Sequence, residues 1–169
     1  MLAIADSSPL IYLSRVDALH VLPALFDEVA VPRAVWDETV ERRPSAPGID
    51  ALHQASWLRV VDNPSLQLDL GLDRGETAAI LLAESLRADL LLIDEKIGRK
   101  VARARGLSVR GTLGVLVQAR QGRLLPALKP VLDAIVAAGF RIAPALIREA
   151  LAHVGEGAEP ANATSTDGS

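Results

Sequence analysis

Short apolar runs alternate along the chain with longer segments in which apolar residues recur every three to four positions. The run Leu90–Ile93 has no polar residue between its apolar ones, which favours a strand buried on both faces of a parallel sheet. Strands that alternate with helices predict an α/β protein whose parallel sheet is covered by helices on both faces. The predicted strands are Met1–Ala5, Glu28–Val31, Trp57–Val61, Leu90–Asp94 and Leu107–Val109.

Helical periodicity marks the segments between and after these strands. The strongest predicted helix is Arg74–Leu86, which follows Asp73. We expect Ser8 to cap the first helix, with Pro9 at its first position, where a missing N–H costs nothing. Thr112 stands where it can cap the helix Leu113–Gln121. The other predicted helices are Ala18–Phe26, Arg33–Arg42, Ile49–Ala55, Lys96–Arg105, Leu113–Gln121, Pro126–Ala138 and Ala145–His153.

The length and composition of the chain fit one domain with a sizeable core. Half of the 169 residues are apolar but only 3% are aromatic, so aliphatic side chains must fill the interior. We predict one domain over residues 1–154. Residues 155–169, rich in Gly, Ala, Glu, Pro, Ser and Thr, are predicted to form a disordered C-terminal tail.

The residue types available to bind a metal are restricted. The sequence has no cysteine, so disulfides and thiolate metal sites are excluded. Its three histidines, His20, His53 and His153, stand far apart and show no ligand spacing. Any metal bound by this chain is therefore expected to be a hard cation held by oxygen atoms.

Charge and hydropathy narrow the choice of partners and of location. A formal net charge of −3 argues against strong non-specific nucleic-acid binding by the whole chain, but leaves room for a local basic patch. No apolar run approaches the length of a membrane span, and the N-terminus lacks a signal-peptide pattern. We expect a soluble cytoplasmic protein with no membrane partner.

Two predicted strands end in a carboxylate, Asp6 after the first and Asp94 after the fourth. In open α/β sheets, ligands gather outside the carboxyl ends of the strands. If these strands are neighbours, the two carboxylates face each other closely. Because like charges repel, the pKa of at least one carboxylate should then be raised, or a cation should bind between them. The alternative is that each Asp only caps the helix that follows it.

Glu76 and Glu38 each have a structural alternative as well. Asp73 and Glu76 have capping-box spacing, so Glu76 could simply satisfy backbone amides in the first helical turn. That turn faces the same edge as the strand ends, so metal contact is compatible with it. Glu38 lies beside Asp37 and Glu41, and periodicity alone gives it no more than a surface role.

A basic segment begins directly after Asp94. We predict that Ile97, Val101 and Ala104 share the packing face of its helix. A solvated surface is the usual meaning of such a pattern, but these cations begin beside the candidate site, which makes a polyanionic substrate plausible. The outward residues are predicted to be Lys96, Arg99, Lys100 and Arg103, all of which could bind phosphates.

Five motifs follow one another along the chain: Ile4–Ile11 (IADSSPLI), Val31–Glu38 (VPxxVxxE), Asp73–Ile80 (DxGExxAI), Leu91–Glu95 (LLIDE) and Gly106–Gly114 (GLxVxGTLG). In this order and spacing they resemble the motifs of PIN-domain proteins, most closely those of a bacterial and archaeal branch related to VapC toxins. The resemblance rests on the order and spacing of the motifs together, and it covers about residues 1–155.

The resemblance implies a three-layer α/β/α sandwich with a central, mainly parallel sheet of about five strands. It also implies a metal-dependent ribonuclease with Mg²⁺ or Mn²⁺ as cofactor and an RNA substrate, a cognate antitoxin protein and a homodimer. The chain departs from the family at Leu92, where many members carry Thr or Ser, and at Glu76, often Asp elsewhere. The family's acidic quartet falls on Asp6, Glu38, Glu76 and Asp94, the predicted catalytic and metal-binding residues.

The leading hypothesis is therefore hydrolysis of an RNA phosphodiester by the toxin of a toxin–antitoxin pair. A doubly wound phosphatase or phosphotransferase is a second possibility, although Asp6-Ser7-Ser8 lacks the Asp-x-Asp expected of one such class. A third is a catalytically inactive PIN-like module that binds a partner protein. Its acidic cluster would then be a remnant or a dock for an Arg of the partner.

Overall fold

One parallel sheet forms the centre of the protein, for which a computed structural model describes residues 1–157. Within that range the sheet has five strands in the order β3-β2-β1-β4-β5. All four pairs of neighbouring strands are parallel, as predicted. The strands are β1 (Leu2–Ala5), β2 (Glu28–Pro32), β3 (Leu58–Val61), β4 (Leu90–Leu92) and β5 (Val109–Arg110).

Strand β1 lies at the middle of this sheet. Its Ile4 is in register with Ala30 of β2 on one side and with Leu91 of β4 on the other. The chain runs outward from β1 through β2 to β3, then returns to the opposite side of β1 for β4 and β5. The strand order therefore reverses between β1 and β4, which is where ligands bind in open parallel sheets.

Helices cover both faces of the sheet and complete the predicted three-layer arrangement. Helix α5 packs on β1, β2 and β4, while α1 contacts α4, α7 and α8. Helix α9 lies further out, against α7. The helices are α1 (Ser7–Arg15), α2 (Val21–Leu25), α3 (Arg33–Trp36), α4 (Ile49–His53), α5 (Arg74–Ser85), α6 (Lys96–Ala104), α7 (Thr112–Gln121), α8 (Lys129–Ala137) and α9 (Pro144–His153).

The core is aliphatic, as the composition requires. Every residue of β4 is buried, and so is Ile93 just after it, which explains the unbroken apolar run in the sequence. Residues Ala3–Ala5 of β1 are also wholly buried. Strands buried on both faces cannot alternate polar and apolar residues, so their apolar runs end only where the chain leaves the sheet. Asp6 and Asp94 stand at or just beyond those points.

The first helix begins earlier than predicted. It starts at Ser7, with Asp6 at the N-cap position, so Ser8 is a helical residue and the prediction that it is the cap is wrong. Pro9 falls in the first turn, where backbone N–H groups have no partner within the helix, so its missing donor is tolerated there. Pro23 likewise falls in the first turn of α2, which is shorter than the predicted helix.

The predicted helix Arg33–Arg42 changes character halfway. Helix α3 is followed by a π-helical turn, Asp37–Glu41, closed by a bond from the Arg42 amide to the Asp37 carbonyl at 2.9 Å. The wider turn buries Thr39 and Val40. Single π turns are frequent at functional sites, and this one carries Glu38.

The packing face predicted for the basic helix is right for Val101, which is half-buried against the core, and wrong for Ile97 and Ala104. Helix α6 buries Gly98 and Ala102, whereas Ala104 is exposed and Ile97 is 60% exposed. A Cβ on Gly98 would lie 2.6 Å from Cδ1 of Ile93, so only glycine lets the helix approach the sheet this closely. Hydrophobic periodicity could not find a packing face made of residues with such small side chains.

The end of the described chain is tied to the domain by Glu156. Its carboxylate accepts hydrogen bonds from the Leu128 and Lys129 amides at 2.9 Å and from Arg120 Nε at 2.7 Å. Helix α8 begins at Lys129 and not at Pro126, and Glu156 caps it from outside. Most of the predicted tail, residues 158–169, lies outside the described residues.

Within residues 1–157, no helix has both the length and the apolar character needed to cross a lipid bilayer.

Candidate active site

Asp6 is a buried carboxylate without a full set of partners. Its residue is only 3% exposed, and Oδ1 has no hydrogen-bond partner. Although Asp6 occupies the N-cap position of α1, its side chain makes no capping hydrogen bond. Burial raises its pKa to about 7, with further increases from the charges of Glu76, Asp73 and Asp94, while the Ser7 amide partly offsets them. The capping alternative therefore does not account for this residue.

Glu76 lies at the start of α5, close to Asp6. The Glu76 amide donates to Asp73 Oδ1 at 2.7 Å, so Asp73 is the N-cap, as its spacing suggested. The Glu76 carboxylate is directed toward α6, because a Cβ on Gly98 would lie 3.0 Å from Oε1. Burial, and next the charge of Asp73, raise the pKa of Glu76.

Asp6 and Glu76 line the same cavity, which has a volume of about 420 Å³. Two carboxylates on one cavity wall, one of them almost fully buried, repel each other and favour a bound proton or cation. The remaining lining is largely polar and adds hydroxyl and carboxylate oxygens. It consists of Ser7, Ser8, Asp73 and Glu95, together with Gly71, Leu72 and Ile97.

Asp94 lies beside Asp6 in the sheet but is directed elsewhere. Strands β1 and β4 are neighbours, as the paired-carboxylate prediction required, and the Asp6 amide donates to the Leu92 carbonyl at 2.9 Å. The Asp94 side chain, however, lines a second cavity, formed in part by α6, α7 and α9. The two carboxylates thus occupy adjacent strand ends and open onto different spaces.

Thr112 holds Asp94 in this position. Its hydroxyl donates to Asp94 Oδ2 at 2.6 Å, and its amide donates to Oδ1 at 2.7 Å. The pKa of Asp94 is raised overall because the side chain is buried. These two bonds and the charge of Arg99 offset part of that increase. Asp94 therefore caps the start of α7, not the helix that directly follows it, while Glu95 accepts from the Ile97 amide at the start of α6.

The partnership between Thr112 and Asp94 was missed in the sequence. Thr112 was expected to cap its own helix, but it is the first residue of that helix and wholly buried. Gly111 makes room for the contact, since a Cβ there would lie 2.8 Å from Asp94 Oδ1. The available signal was a hydroxyl residue directly after the glycine that follows β5. Thr112 thus supplies, next to Asp94, a hydroxyl group that Leu92 cannot provide.

Glu38 approaches from the π turn and reaches the start of α5. A Cβ on Gly75 would lie 2.6 Å from Glu38 Oε2, so the carboxylate rests against the backbone beside Glu76. Partial burial, and then the charge of Asp73, raise the pKa of Glu38, while Arg42 and Arg74 lower it. Glu38 lines neither of the two cavities.

The four predicted phosphate-binding residues divide into two pairs. Arg99 and Arg103 line the cavity that contains Asp94, and Arg99 is half-buried. Lys96 and Lys100 are exposed on the same helix and do not line that cavity. Only the arginines are therefore placed to act next to Asp94.

The chemistry of the donors suits a hard divalent cation. Asp6 and Glu76 present oxygen atoms to one cavity, and Asp6 Oδ1 is buried with no partner. Their spacing is not that of an assembled metal centre, because residues 1–157 contain no group of three or more Asp, Glu or His side chains placed to hold one ion. The donor set fits such an ion, which Asp6 and Glu76 would hold with water molecules completing its coordination.

The fold and this edge of the sheet define a class: an α/β/α domain with acidic residues at the switch point of a parallel sheet. The PIN domain family matches residues 2–156, and the chain belongs to that family. PIN domains are generally nucleases, so the protein has a nuclease-type fold. No curated protein gives a significant match to the chain.

Proposed function

We propose that the protein is a Mg²⁺- or Mn²⁺-dependent endoribonuclease that hydrolyses RNA phosphodiester bonds. The observation that carries this proposal is Asp6, a buried carboxylate with an unpartnered oxygen at the switch point of a PIN-family sheet. A cation would relieve the cost of its charge. Membership of the PIN family supports the nuclease class, and the acidic edge supports metal dependence.

Four carboxylates would hold the ion or the water around it. Asp6 and Glu76 share a cavity and are the primary candidates. Asp94 occupies the adjacent strand end, with its orientation set by Thr112. Glu38 contacts the backbone beside Glu76 and would act from that side. The chemistry that a bound Mg²⁺ or Mn²⁺ supplies is Lewis acidity, which lowers the pKa of water and neutralises phosphate charge.

The protein's own residues would orient the substrate and manage protons. Asp6 carries a proton for much of the time near neutral pH, because its pKa lies at about 7, and it would release that proton when positive charge approaches. Arg99 and Arg103 would bind phosphates beside Asp94, and Lys96 and Lys100 would attract RNA from the outer face of α6.

We further propose that the protein acts in the cytoplasm as a toxin with a cognate antitoxin, and that it forms a homodimer. Co-expression tests the first part: growth should stop when the chain is produced alone and recover when the open reading frame adjoining its gene is expressed with it. Light scattering during size-exclusion chromatography tests the second. Normal growth without the neighbour, or a monomer at every concentration, would contradict the respective part.

Cleavage of labelled RNA tests the enzyme proposal. The wild-type protein is expected to cleave RNA in the presence of Mn²⁺ or Mg²⁺, and cleavage should stop when EDTA removes the ion. Asp6→Asn and Asp94→Asn are each expected to lower the rate by more than the roughly 10- to 100-fold that is typical when a group around the metal ligands is changed. A small phosphoester assayed in parallel separates a nuclease from a phosphatase. Activity retained by both variants would exclude the assignment.

One observation favours the non-catalytic alternative, a PIN-like module that binds a partner protein. In the described part of the chain the acidic side chains are not assembled for a metal ion, and Asp94 already has two hydrogen-bond donors. Calorimetric titration with Mn²⁺ distinguishes the two functions. Binding by wild type that Asp6→Asn removes supports the nuclease, and no heat in either protein supports the binding module.

A further inference from the structure

Asp94 lines a groove about 600 Å³ in volume, which is separate from the cavity lined by Asp6 and Glu76. Its lining includes Arg99 and Arg103 of α6 and also Leu146 and His153 of α9. Residues of α7 and the segment 140–143 complete its lining. A ligand in this groove would therefore lie next to a carboxylate of the candidate active site.

The groove has two chemically different parts. Guanidinium groups come from Arg99, Arg103 and Arg141, and in the described residues none of the three has a carboxylate within 4.0 Å. Arg99 Nε is buried and has no hydrogen-bond partner. By contrast, Arg105 at the C-cap of α6 and Arg120 of α7 are paired with Glu84 and Glu156. The groove arginines are thus available for an anion.

The rest of the lining is apolar. Leu113 and Val117 of α7 line the groove together with Leu146 of α9, which is 49% exposed although it is a leucine. Phe140 also lines the groove, and its ring is held edge-on against Tyr12 with the ring centroids 4.7 Å apart. Glu149 is the one acidic residue of α9 at the groove. Cationic and apolar surfaces side by side match a ligand with a phosphate and a flat ring.

We propose that this groove holds one unpaired nucleotide of a single-stranded RNA, next to the phosphodiester that is cleaved. Arg99 and Arg103 bind its phosphate, and its base lies between Leu146 and the apolar residues of α7. Single-stranded RNA is recognised through unstacked bases and a basic groove in this way, whereas the bases of a duplex stay stacked. The inference rests on the proposed function, because it assumes that RNA is the substrate.

Binding measured without cleavage tests the groove by itself. The probe is a fluorescein-labelled ten-nucleotide single-stranded RNA, in EDTA, followed by anisotropy. Arg103→Ala is expected to weaken binding about fivefold and to reduce the slope of log K against log salt by about 0.7. Leu146→Ala is expected to weaken binding about threefold with an unchanged slope. A duplex of the same sequence is expected to bind more weakly than the single strand.

Matched controls and an abasic series locate the base. Arg148→Ala on α9 and Leu86→Ala at the end of α5 change an exposed residue of the same type outside the groove, and neither should affect binding. In probes with one abasic site moved along the strand, wild type should be sensitive at one position, and Leu146→Ala should lose that sensitivity. Thermal unfolding of each variant shows that it is folded.

The results separate this proposal from the proposed function. If wild type cleaves RNA in Mn²⁺ but Arg103→Ala and Leu146→Ala bind RNA as tightly as wild type, the groove assignment is wrong and the nuclease assignment stands. If the variants show the expected loss of RNA binding but wild type does not cleave RNA, the groove assignment stands and the nuclease assignment is wrong. If both variants lose a partner protein but bind RNA normally, the groove holds a protein segment, and the proposal is wrong.

Discussion

The burial of Asp6 determines how the stability of the ion-free protein depends on pH. Its pKa is raised from 3.8 to about 7, so the folded chain favours the protonated carboxyl. The stability that this proton contributes is complete below about pH 4 and is lost as the pH rises through about 7. Asp6 alone therefore makes the ion-free protein less stable in neutral solution than in mildly acidic solution.

We predict that Asp6→Asn is more stable than wild type at about pH 8 by on the order of 4 kcal/mol, with a smaller difference at about pH 5. Asparagine keeps the shape of the side chain and removes the charge. Urea unfolding in EDTA at both pH values measures the difference. Because Glu76 and Asp94 titrate in both proteins, the comparison isolates Asp6. A difference that does not change with pH would contradict the raised pKa.

Thr112 is expected to act through Asp94. Thr112→Val removes the hydroxyl donor and keeps the volume of a buried side chain, so the pKa of Asp94 should rise and its orientation should loosen. We predict that RNA cleavage and Mn²⁺ affinity fall by about 10- to 100-fold.

The control for Thr112 is Thr112→Ser, which keeps the donor. It should retain most of the activity even if the lost methyl group lowers the melting temperature. Equal losses in the two variants would indicate that Thr112 matters only for packing and would contradict the positioning role.

At the residue level, the sequence could place Asp6 and Asp94 at strand ends because buried parallel strands have unbroken apolar runs. It could not link Asp94 to Thr112, 18 residues away on another element. Capping its own helix was an equally good explanation for that threonine. The promotion of Glu38 above Asp37 and Glu41 came from family resemblance alone, and periodicity gives no reason for it.

At the level of helices, the predictions failed where glycine or an extra residue changed the geometry. Helix α6 packs through Gly98 and Ala102, which no hydrophobic pattern reveals. The residues of the π turn after α3 are ones that an ordinary helix also contains, so the sequence does not reveal the turn. In the structure it contacts α1 and α4. Boundaries moved because first-turn prolines are tolerated, as in α1 and α2.

Glu156 is expected to stabilise α8 from outside the helix. Glu156→Ala leaves the buried Leu128 amide without its acceptor and should lower the free energy of unfolding by about 1–3 kcal/mol. Asp133→Ala is the control on the same helix, because its pair with Lys129 is exposed and should contribute less than about 0.5 kcal/mol. Similar small losses in both variants, measured by denaturant unfolding, would contradict the capping role.

For the whole molecule, the parallel sheet and its helical layers could be predicted because alternation of elements leaves few other arrangements. The two separate cavities could not. They result from side-chain directions at neighbouring strand ends, and the sequence specifies only that both carboxylates lie on one edge. The groove beside Asp94 was equally hidden, since it needs α9, whose position against α7 depends on long-range packing.

The extent of the domain gives a further test at this scale. Removal of residues 158–169 is expected to leave the melting temperature unchanged, as the tail prediction requires. Removal of residues 155–169 also takes away Glu156 and should lower it by about 2–4 °C for each kcal/mol lost. Equal melting temperatures for the two truncated proteins would place the domain boundary before Glu156.

The position of α9 implies that this helix opens more often than the strands that carry the acidic residues. Across Pro144–His153 the helix buries only Ala150, whereas Ala3–Ala5 and Leu91–Ile93 are completely enclosed. Amide hydrogens of α9 should therefore exchange with solvent through local unfolding, while those of β1 and β4 exchange only when the whole domain unfolds. A long polymer could then enter beside Asp94 while the strands that carry the acidic residues remain fixed.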